Sequence, residues 1–315
     1  MNSSINRRPV SFKNADGITL TGVLEMPHSA SSDVAVVMLS PGVKMRVAPH
    51  RLYNKLSKWF VDQGFTVLRF DFYGLGDSEG SLPERLMADF YRQVQLGRYC
   101  SDVVSAVDWI RENLGIDRFL LAGLCGGAIT GLLASQKIEG VLGLVGIGIP
   151  VILDGSDLDQ FSTITEGQRN QLKRTYLRKV FDAKSWIRLL TMKTDIRLLV
   201  RSLFGKRVAH TPSRNTAGMG ADNSNPLFAP AFFKFTDMDR RLLLIFSGGD
   251  RLAWEFEEKF SARFPQELSE VGDLCQIRTI PNANHIVSDL AGQKALFDIL
   301  GTWIQSHRKI LDPSR

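Results

Sequence analysis

The segment FLLAGLCGGAITG, residues 119–131, joins a predicted strand to a predicted helix through a sharp turn and is the strongest indication of the fold. Its first half is an apolar run typical of a buried strand, and its second half is typical of a helix packed beside that strand. Gly123 and Gly127 carry no Cβ atoms, which would otherwise collide at so tight a turn. We therefore predict that the Cys125 side chain stands at the apex, next to the amino end of the helix.

Alternating strands and helices extend in both directions from this turn. Apolar runs of strand length alternate with segments whose apolar residues have helical spacing. The predicted strands include 34–42, 241–249 and 274–280, and the predicted helices include 50–64, 101–115 and 287–307. Ser101 is expected to cap the second of these helices. Such alternation predicts an α/β fold with a mostly parallel central sheet and helices on both faces.

The alternation is interrupted once, and the interruption has a charge of its own. We predict a core of residues 1–150 and 238–315 and an inserted helical cap of residues 151–237 that includes a polar loop. Residues 166–207 contain twelve Lys or Arg against three Asp or Glu, a net charge of +9, whereas the whole chain carries +6. The predicted cap therefore holds all of the positive excess.

The rest of the sequence argues against a membrane span, a secretory leader and a disulfide framework. No apolar run approaches the roughly 18 residues needed to cross a bilayer, and the first residues lack the apolar segment of a leader. Three cysteines, Cys100, Cys125 and Cys275, cannot all pair. We expect a cytoplasmic protein without a metal or cofactor. Nucleic acid is not an expected partner, because no recognition motif accompanies the basic segment.

A nucleophile on such a turn needs an acid and a base from later strand ends, in the order nucleophile, acid, base. Asp250 directly follows the predicted strand 241–249, and His285 lies in the loop after the predicted strand 274–280. We predict that His285 removes the thiol proton and that Asp250 holds the imidazole and stabilises its charged form. Asp154 is the alternative acid.

Two backbone N–H groups are candidates for stabilising negative charge on a reacting carbonyl oxygen. That of Gly126 opens the helix after the turn, and a helix amino end favours anions and the thiolate form of cysteine. That of Val43 follows a Pro-Gly pair at the end of the strand 34–42, where Gly42 lets the chain approach a substrate. We predict that Gly126 and Val43 form an oxyanion hole.

Several segments together resemble a known superfamily. They are GLCGGA around Cys125, RVAPHR at 46–51, RFDFYGLGDSEG at 69–80 and FSGGDRLAWEF at 246–256. These motifs resemble the α/β-hydrolase superfamily, and most closely the hydrolases encoded beside exosortase systems, whose nucleophile is a cysteine. Those hydrolases have an acidic residue where this chain has Gly126. The resemblance implies the α/β-hydrolase fold and the Cys-His-Asp triad, and it leaves the substrate undefined.

Four further polar residues belong to these motifs. Arg46 and His50 are candidates for lining the pocket, and a role at the start of a helix is an equal alternative for His50. Asp71 and Asp77 are expected to order their loop rather than to take part in the chemistry.

A cysteine nucleophile changes which substrates are suitable. A thiolate attacks acyl carbons readily, but it also leaves more easily than an alkyl alkoxide, so an ordinary alkyl ester tends to return to starting material. A thioester or an ester of an acidic alcohol has no such handicap. We therefore expect an acyl-cysteine formed from a thioester or activated ester, which then passes its acyl group to water, an amine or an alcohol.

Three interpretations of this chemistry stay open. The first is a hydrolase or thioesterase. The second is a biosynthetic acyltransferase for groups carried on coenzyme A or an acyl carrier protein, with the basic cap as a docking surface. That cap is equally well explained as a solvated helical face, or it would contact an anionic membrane surface. The third, from a different class, is a binding protein that keeps the turn without catalysis.

Overall fold

A computed structural model of the protein describes residues 5–28, 32–154 and 223–311. Nearly all of the predicted cap, with its basic segment and most of its polar loop, falls in residues 155–222, outside the described residues. The cap, its boundaries and its role therefore stay predictions. The described residues 32–154 and 224–311 belong to one structural unit.

An eight-stranded sheet forms the centre of the described part of the chain, in the order β1-β2-β4-β3-β5-β6-β7-β8. Its strands are β1 (Asn6–Lys13), β2 (Thr19–Met26), β3 (Val34–Leu39), β4 (Thr66–Phe70), β5 (Arg118–Leu124), β6 (Val141–Ile147), β7 (Arg241–Ser247) and β8 (Cys275–Ile280). The pairs β1–β2 and β2–β4 are antiparallel, and every other neighbouring pair is parallel. The predicted mostly parallel sheet is confirmed.

Helices cover both faces of this sheet. They are α1 (Leu52–Asp62), α2 (Met87–Gln95), α3 (Cys100–Leu114), α4 (Gly126–Ala134), α5 (Phe228–Asp237), α6 (Arg251–Phe256), α7 (Pro265–Val271), α8 (Leu290–Ser306) and α9 (Arg308–Leu311). Alternate residues of β3 divide between two buried clusters, with Ala35, Val37 and Leu39 in one and Val34, Val36 and Met38 in the other. A continuous apolar run is what a strand covered on both faces requires.

Two helices differ from the sequence-based expectation. Helix α3 begins at Cys100 with Tyr99 in the N-cap position and no side-chain cap. Ser101 therefore lies in the first turn and does not cap the helix. Helix α2 was not predicted at all. Met87, Phe90, Tyr91 and Val94 have helical spacing, but the segment is short and no side chain caps its start, so its beginning has no sequence marker.

Helix α5 packs as part of the core. Phe228 and Phe232 are buried in the same cluster as the sheet residues, and their rings lie 4.9 and 4.8 Å from that of Phe260. This helix falls within the segment 151–237 that the sequence assigned to the cap. Among the described residues, no helix combines the length and apolarity needed to span a bilayer.

The turn from β5 to α4 depends on backbone approaches that leave no room for side chains. A Cβ on Gly123 would lie 2.4 Å from the carbonyl carbon of Gly127, so the helix folds back directly over the strand end. A Cβ on Gly127 would lie 2.3 Å from the carbonyl oxygen of Leu39. Gly123 is therefore needed across the turn itself, whereas Gly127 is needed because α4 packs on the end of the neighbouring strand β3.

We predict that Gly127→Ala destabilises the protein by at least about 1–3 kcal/mol, because the new methyl group must displace backbone at the end of β3. The matched control is Gly301→Ala in α8, where a Cβ would meet only Trp59, at 3.8 Å. That change should be neutral or stabilise by up to about 1 kcal/mol, since alanine is favoured over glycine in helices. Urea unfolding followed by circular dichroism measures both. Equal stability of the two variants would contradict the close approach.

Candidate active site

Cys125 occupies the apex of the turn in a backbone conformation that side chains rarely adopt. Its φ is 54° and its ψ is −115°. Its N–H donates to the carbonyl oxygen of Ile147 at 2.8 Å, and its own carbonyl accepts from the N–H of Ala128 at 3.0 Å. Such a conformation persists only where surrounding structure over-determines it, and it is often found at functional sites. The residue is only 7% exposed, and it lines a cavity.

Tyr53 of α1 ties together the strand ends below this turn. Its hydroxyl accepts from the N–H of Leu124 and donates to the carbonyl oxygen of Leu39, both at 2.7 Å. Burial raises the pKa of Tyr53, so the hydroxyl keeps the proton that it donates. No sequence pattern indicates this role, because Tyr53 occupies an ordinary buried position of an amphipathic helix.

The structure brings His285 and Asp250 together. Asp250 follows β7 at the start of α6, and His285 lies in the loop between β8 and α8. The imidazole Nδ1 lies 2.5 Å from Oδ2 of Asp250, and both side chains line the same cavity as Cys125. The carboxyl ends of neighbouring parallel strands thus deliver three polar side chains to one place, in the predicted chain order.

The surroundings of His285 favour its charged form. Burial acts to lower its pKa, but hydrogen bonds to Asp250 and Cys125 and the negative charges of these groups outweigh burial and raise the pKa to about 10. At neutral pH the ring is therefore an imidazolium whose Nδ1 is held by the carboxylate. The other ring nitrogen, Nε2, is not used by Asp250 and is available for proton exchange with the Cys125 sulfur.

Tyr91 of α2 also reaches the sulfur, which the sequence analysis did not foresee. Its hydroxyl is within hydrogen-bond distance of Cys125 Sγ. One turn further along the same helix, Gln95 accepts a hydrogen bond from the N–H of Asp154 at 2.8 Å. Burial, followed by the charge of the Cys125 sulfur, raises the pKa of Tyr91 well above its ordinary value. The sequence signal was the helical spacing of Met87, Phe90, Tyr91 and Val94, which indicates a short amphipathic helix and not a contact with the sulfur.

The predicted oxyanion-hole segments lie against each other. A Cβ on Gly126 would be 2.9 Å from the carbonyl oxygen of Pro41 and 3.0 Å from Cα of Gly42. Gly42 itself has a φ of +86°, a conformation that glycine adopts without strain. The loop that carries Val43 therefore passes the first turn of α4, whose initial N–H groups have no acceptor within the helix. An acidic side chain at position 126 would collide with this loop.

A cavity of about 330 Å³ opens at this point. Its lining includes Met87, Ala88, Tyr91, Gln95, Cys125, Pro150, Ile152, Asp154, Asp250, Arg251, Leu252, Glu255 and His285. Apolar side chains are thus combined with a charged end, where Arg251 lies 3.6 Å from both Asp154 and Glu255. Asp154, the alternative acid, bonds to Gln95 and faces Arg251, whereas the carboxylate bonded to the imidazole is that of Asp250.

Arg46 and His50, the candidate pocket residues, are not among the residues that line this cavity. The Arg46 guanidinium pairs with the buried Asp71 and, at 2.5 Å, with Asp77. Asp71 also accepts from the N–H of Asp77 at 3.0 Å, so both aspartates order their loop as expected. His50 is exposed and has a φ of 54° in the turn before α1. The charge of Arg46 is therefore engaged in holding a loop.

Comparison with known proteins places the sequence in a family. Residues 35–267 match the family described as the alpha/beta hydrolase fold. A polyketide transferase from a Penicillium species is 32% identical over 131 residues, which are 41% of this chain and 40% of that protein. A polyketide transferase from Gibberella fujikuroi is 30% identical over 145 residues, 45% of this chain and 41% of that protein. The matches thus span about two fifths of the length of these curated relatives.

Solved structures show the same fold. An esterase from Pyrococcus furiosus is 17% identical with a TM-score of 0.59, and the match covers 97% of this chain and 92% of that one. A dienelactone hydrolase from Anabaena variabilis is 14% identical with a TM-score of 0.53, covering 96% and 98%. At these identities the likeness concerns the fold alone. Within the described residues, no group of three or more His, Cys, Asp or Glu side chains is placed to hold a metal ion.

We predict that Asp250→Asn lowers the pKa of His285 by at least about one unit, because a neutral amide replaces the carboxylate that stabilises the imidazolium. Asp154→Asn is the matched control and should leave this titration unchanged, since Asp154 bonds to Gln95. An NMR pH titration of the histidine rings, with His285 assigned by substitution, measures both. A fall in the control variant alone would contradict the pairing of His285 with Asp250.

Proposed function

The chain belongs to the alpha/beta hydrolase fold family, and we propose that it is an enzyme that transfers acyl groups through a triad of Cys125, His285 and Asp250. One observation carries the proposal: sulfur, imidazole and carboxylate line a single cavity, and the imidazole Nδ1 lies 2.5 Å from the carboxylate. A buried cysteine kept only for packing would need neither the strained turn nor the charged partner.

The first half-reaction forms an acyl-cysteine. The Cys125 thiolate adds to the acyl carbon, and the resulting oxyanion accepts hydrogen bonds from the N–H groups of Gly126 and Val43. Collapse of this intermediate breaks the bond to the leaving group, which takes the Nε2 proton of the His285 imidazolium. Asp250 holds the ring through Nδ1 during this transfer.

The second half-reaction releases the acyl group. The neutral His285 takes a proton from water, an amine or an alcohol as that acceptor adds to the thioester carbon. Collapse expels the Cys125 thiolate, and the imidazolium beside it is restored. Since the acyl-enzyme is itself a thioester, it is activated toward acceptors other than water.

Thioesters and activated esters are the proposed acyl donors. After a thiolate adds to an alkyl ester, the intermediate expels the thiolate more readily than the alkoxide and returns to starting material. After it adds to a thioester, the two sulfur groups leave with similar ease. The similarity to two polyketide transferases supports transfer to an acceptor, although only about two fifths of each relative is matched. Coenzyme A or an acyl carrier protein is the proposed carrier, with docking on the basic segment 166–207, which lies outside the described residues.

A finer classification and a location complete the proposal. The motifs around Cys125 and at 46–51, 69–80 and 246–256 support a place beside the exosortase-system hydrolases. Gly126 sets this chain apart from their acidic residue, and the neighbouring loop at Gly42 explains why a side chain is excluded here. The absence of a disulfide among the described cysteines is compatible with the proposed cytoplasmic location.

We predict that acyl thioesters load the protein at Cys125. Intact-mass spectrometry after mixing with a panel of acyl thioesters and aryl esters should show the mass of one acyl group. Cys125→Ala should abolish loading, and His285→Ala should slow it by about 10³-fold or more, because the base and proton donor is lost. Cys100→Ala is the matched control and should load normally.

Two outcomes would count against this proposal. Wild-type protein that takes up no acyl group from any donor would favour the binding-protein interpretation. Cys125→Ser should shift the remaining activity toward oxygen esters. In the tetrahedral intermediate the serine oxygen and the alkoxide of the ester then leave with similar ease. An unchanged preference for thioesters in that variant would overturn the leaving-group argument.

We predict that an acceptor discharges the acyl-enzyme faster than water does. Preloaded protein is mixed with buffer alone or with a panel of amines and alcohols, and the acyl mass on Cys125 is followed with time. Rates that rise with the concentration of one acceptor class, with formation of the matching amide or ester, indicate a transferase. Discharge at one rate in every mixture would identify a hydrolase instead.

A further inference from the structure

We propose that Tyr91 is a further catalytic residue, whose hydroxyl donates a hydrogen bond to the Cys125 sulfur and stabilises it as a thiolate opposite His285. This inference rests on the proposed nucleophilic role of Cys125. It adds a second donor to the sulfur, and none of the motifs around the triad contains this residue.

The position of Tyr91 is set by contacts at the next turn of its helix. Val94 packs where the loop after β3 meets the first turn of α4. Its Cγ1 would lie 2.9 Å from a Cβ on Gly42 and 3.0 Å from one on Gly126. The backbone carbonyl of Gln95 accepts from the Asn225 side chain at 2.8 Å. The side chain of Gln95 forms hydrogen bonds with Asp154. Helix α2 is thus held to the turn and to the cavity wall, so the phenol is positioned before any substrate arrives.

The direction of the hydrogen bond follows from the charges around the two groups. Burial, the Cys125 sulfur and Asp154 all raise the pKa of Tyr91, and Arg251 opposes them more weakly. The phenol therefore keeps its proton at neutral pH. The His285 imidazolium lines the same cavity as the sulfur. The hydroxyl of Tyr53 below the turn is engaged with Leu39 and Leu124. The hydroxyl of Tyr91 is therefore the donor and the Cys125 sulfur the acceptor, and a donor in this place stabilises the thiolate form.

This donor affects the two half-reactions in opposite ways. In acylation the hydrogen bond increases the fraction of thiolate but makes each thiolate less nucleophilic, because nucleophilicity falls as the thiol becomes more acidic. In deacylation the sulfur regains its negative charge as it leaves, and the hydroxyl stabilises that charge. Tyr91 therefore favours turnover at neutral pH and release of the acyl group, rather than attack by the thiolate itself.

The test is the pH dependence of Cys125 alkylation by iodoacetamide in wild type and Tyr91→Phe, located by peptide mass spectrometry. We expect the alkylation midpoint of Tyr91→Phe to move up by about one to two pH units, since hydrogen bonds to charged groups have about this effect. Above the new midpoint the variant should react as fast as wild type or faster, so the two profiles cross. Because the exposed thiol of a misfolded variant would also react faster at high pH, circular dichroism must show that Tyr91→Phe is folded.

A second pair of measurements keeps the roles of Tyr91 and Cys125 separate. Tyr99→Phe is the matched control, because it removes a buried hydroxyl that has no hydrogen-bond partner among the described residues, and its profile should equal wild type. Deacylation of loaded Tyr91→Phe should slow about tenfold or more. If Tyr91→Phe is unstable, 3-fluorotyrosine at position 91 replaces it. That phenol is a stronger donor and should lower the midpoint.

Two results have different meanings. Coincident profiles of wild type and Tyr91→Phe, in a protein that still loads acyl groups at Cys125, would overturn the role of Tyr91 and leave the proposed function standing. A wild-type protein that loads no acyl group would remove the proposed function itself, and the role of Tyr91 with it.

Discussion

The close approach of two backbone segments, the loop after β3 and the first turn of α4, is the constraint on which the rest of the site depends. Glycines at 42, 126 and 127 let these segments pass with distances that no Cβ would permit. The first turn of α4, which directly follows Cys125, is thereby held against the loop after β3. The Tyr53 hydroxyl joins the same two strand ends from below, so the turn is fixed by tertiary contacts as well as by its own hydrogen bonds.

The charges around that turn bear on the proposed acyl substrate and its proposed carrier. Asp154, Asp250 and Glu255 line the cavity against Arg251 and the His285 imidazolium, so the cavity holds one negative charge in excess even before the thiolate is counted. A neutral acyl chain is therefore a better occupant of its interior than a phosphate-bearing carrier. This agrees with the proposal that the carrier docks elsewhere. The sulfur and its two proposed donors, His285 and Tyr91, are then the groups that control the proposed reaction.

The sequence predicted more of the fold than of the site's fine structure. The sheet, the turn at Cys125 and the order of Cys125, Asp250 and His285 all have local signals, namely strand periodicity, glycine spacing and polar residues at strand ends. Helix α2 has the apolar spacing of a short helix, but no side-chain cap marks where it begins. Arg46 lies in a motif that suggested a pocket residue, but its pairing with Asp71 and Asp77 across the chain has no signature in neighbouring residues.

Sequence patterns are enough to predict which elements form and at which strand ends Cys125, Asp250 and His285 lie, because backbone propensity and periodicity act over a few neighbouring residues. Which polar groups meet is seen only in the folded chain. It selected Asp250 over Asp154 as the partner of His285, placed the Tyr91 hydroxyl on the sulfur and turned Arg46 toward its aspartates. Such pairings depend on how distant elements pack. The residue type shows which groups a side chain can bond to, but not which of those groups lie near it in the folded chain.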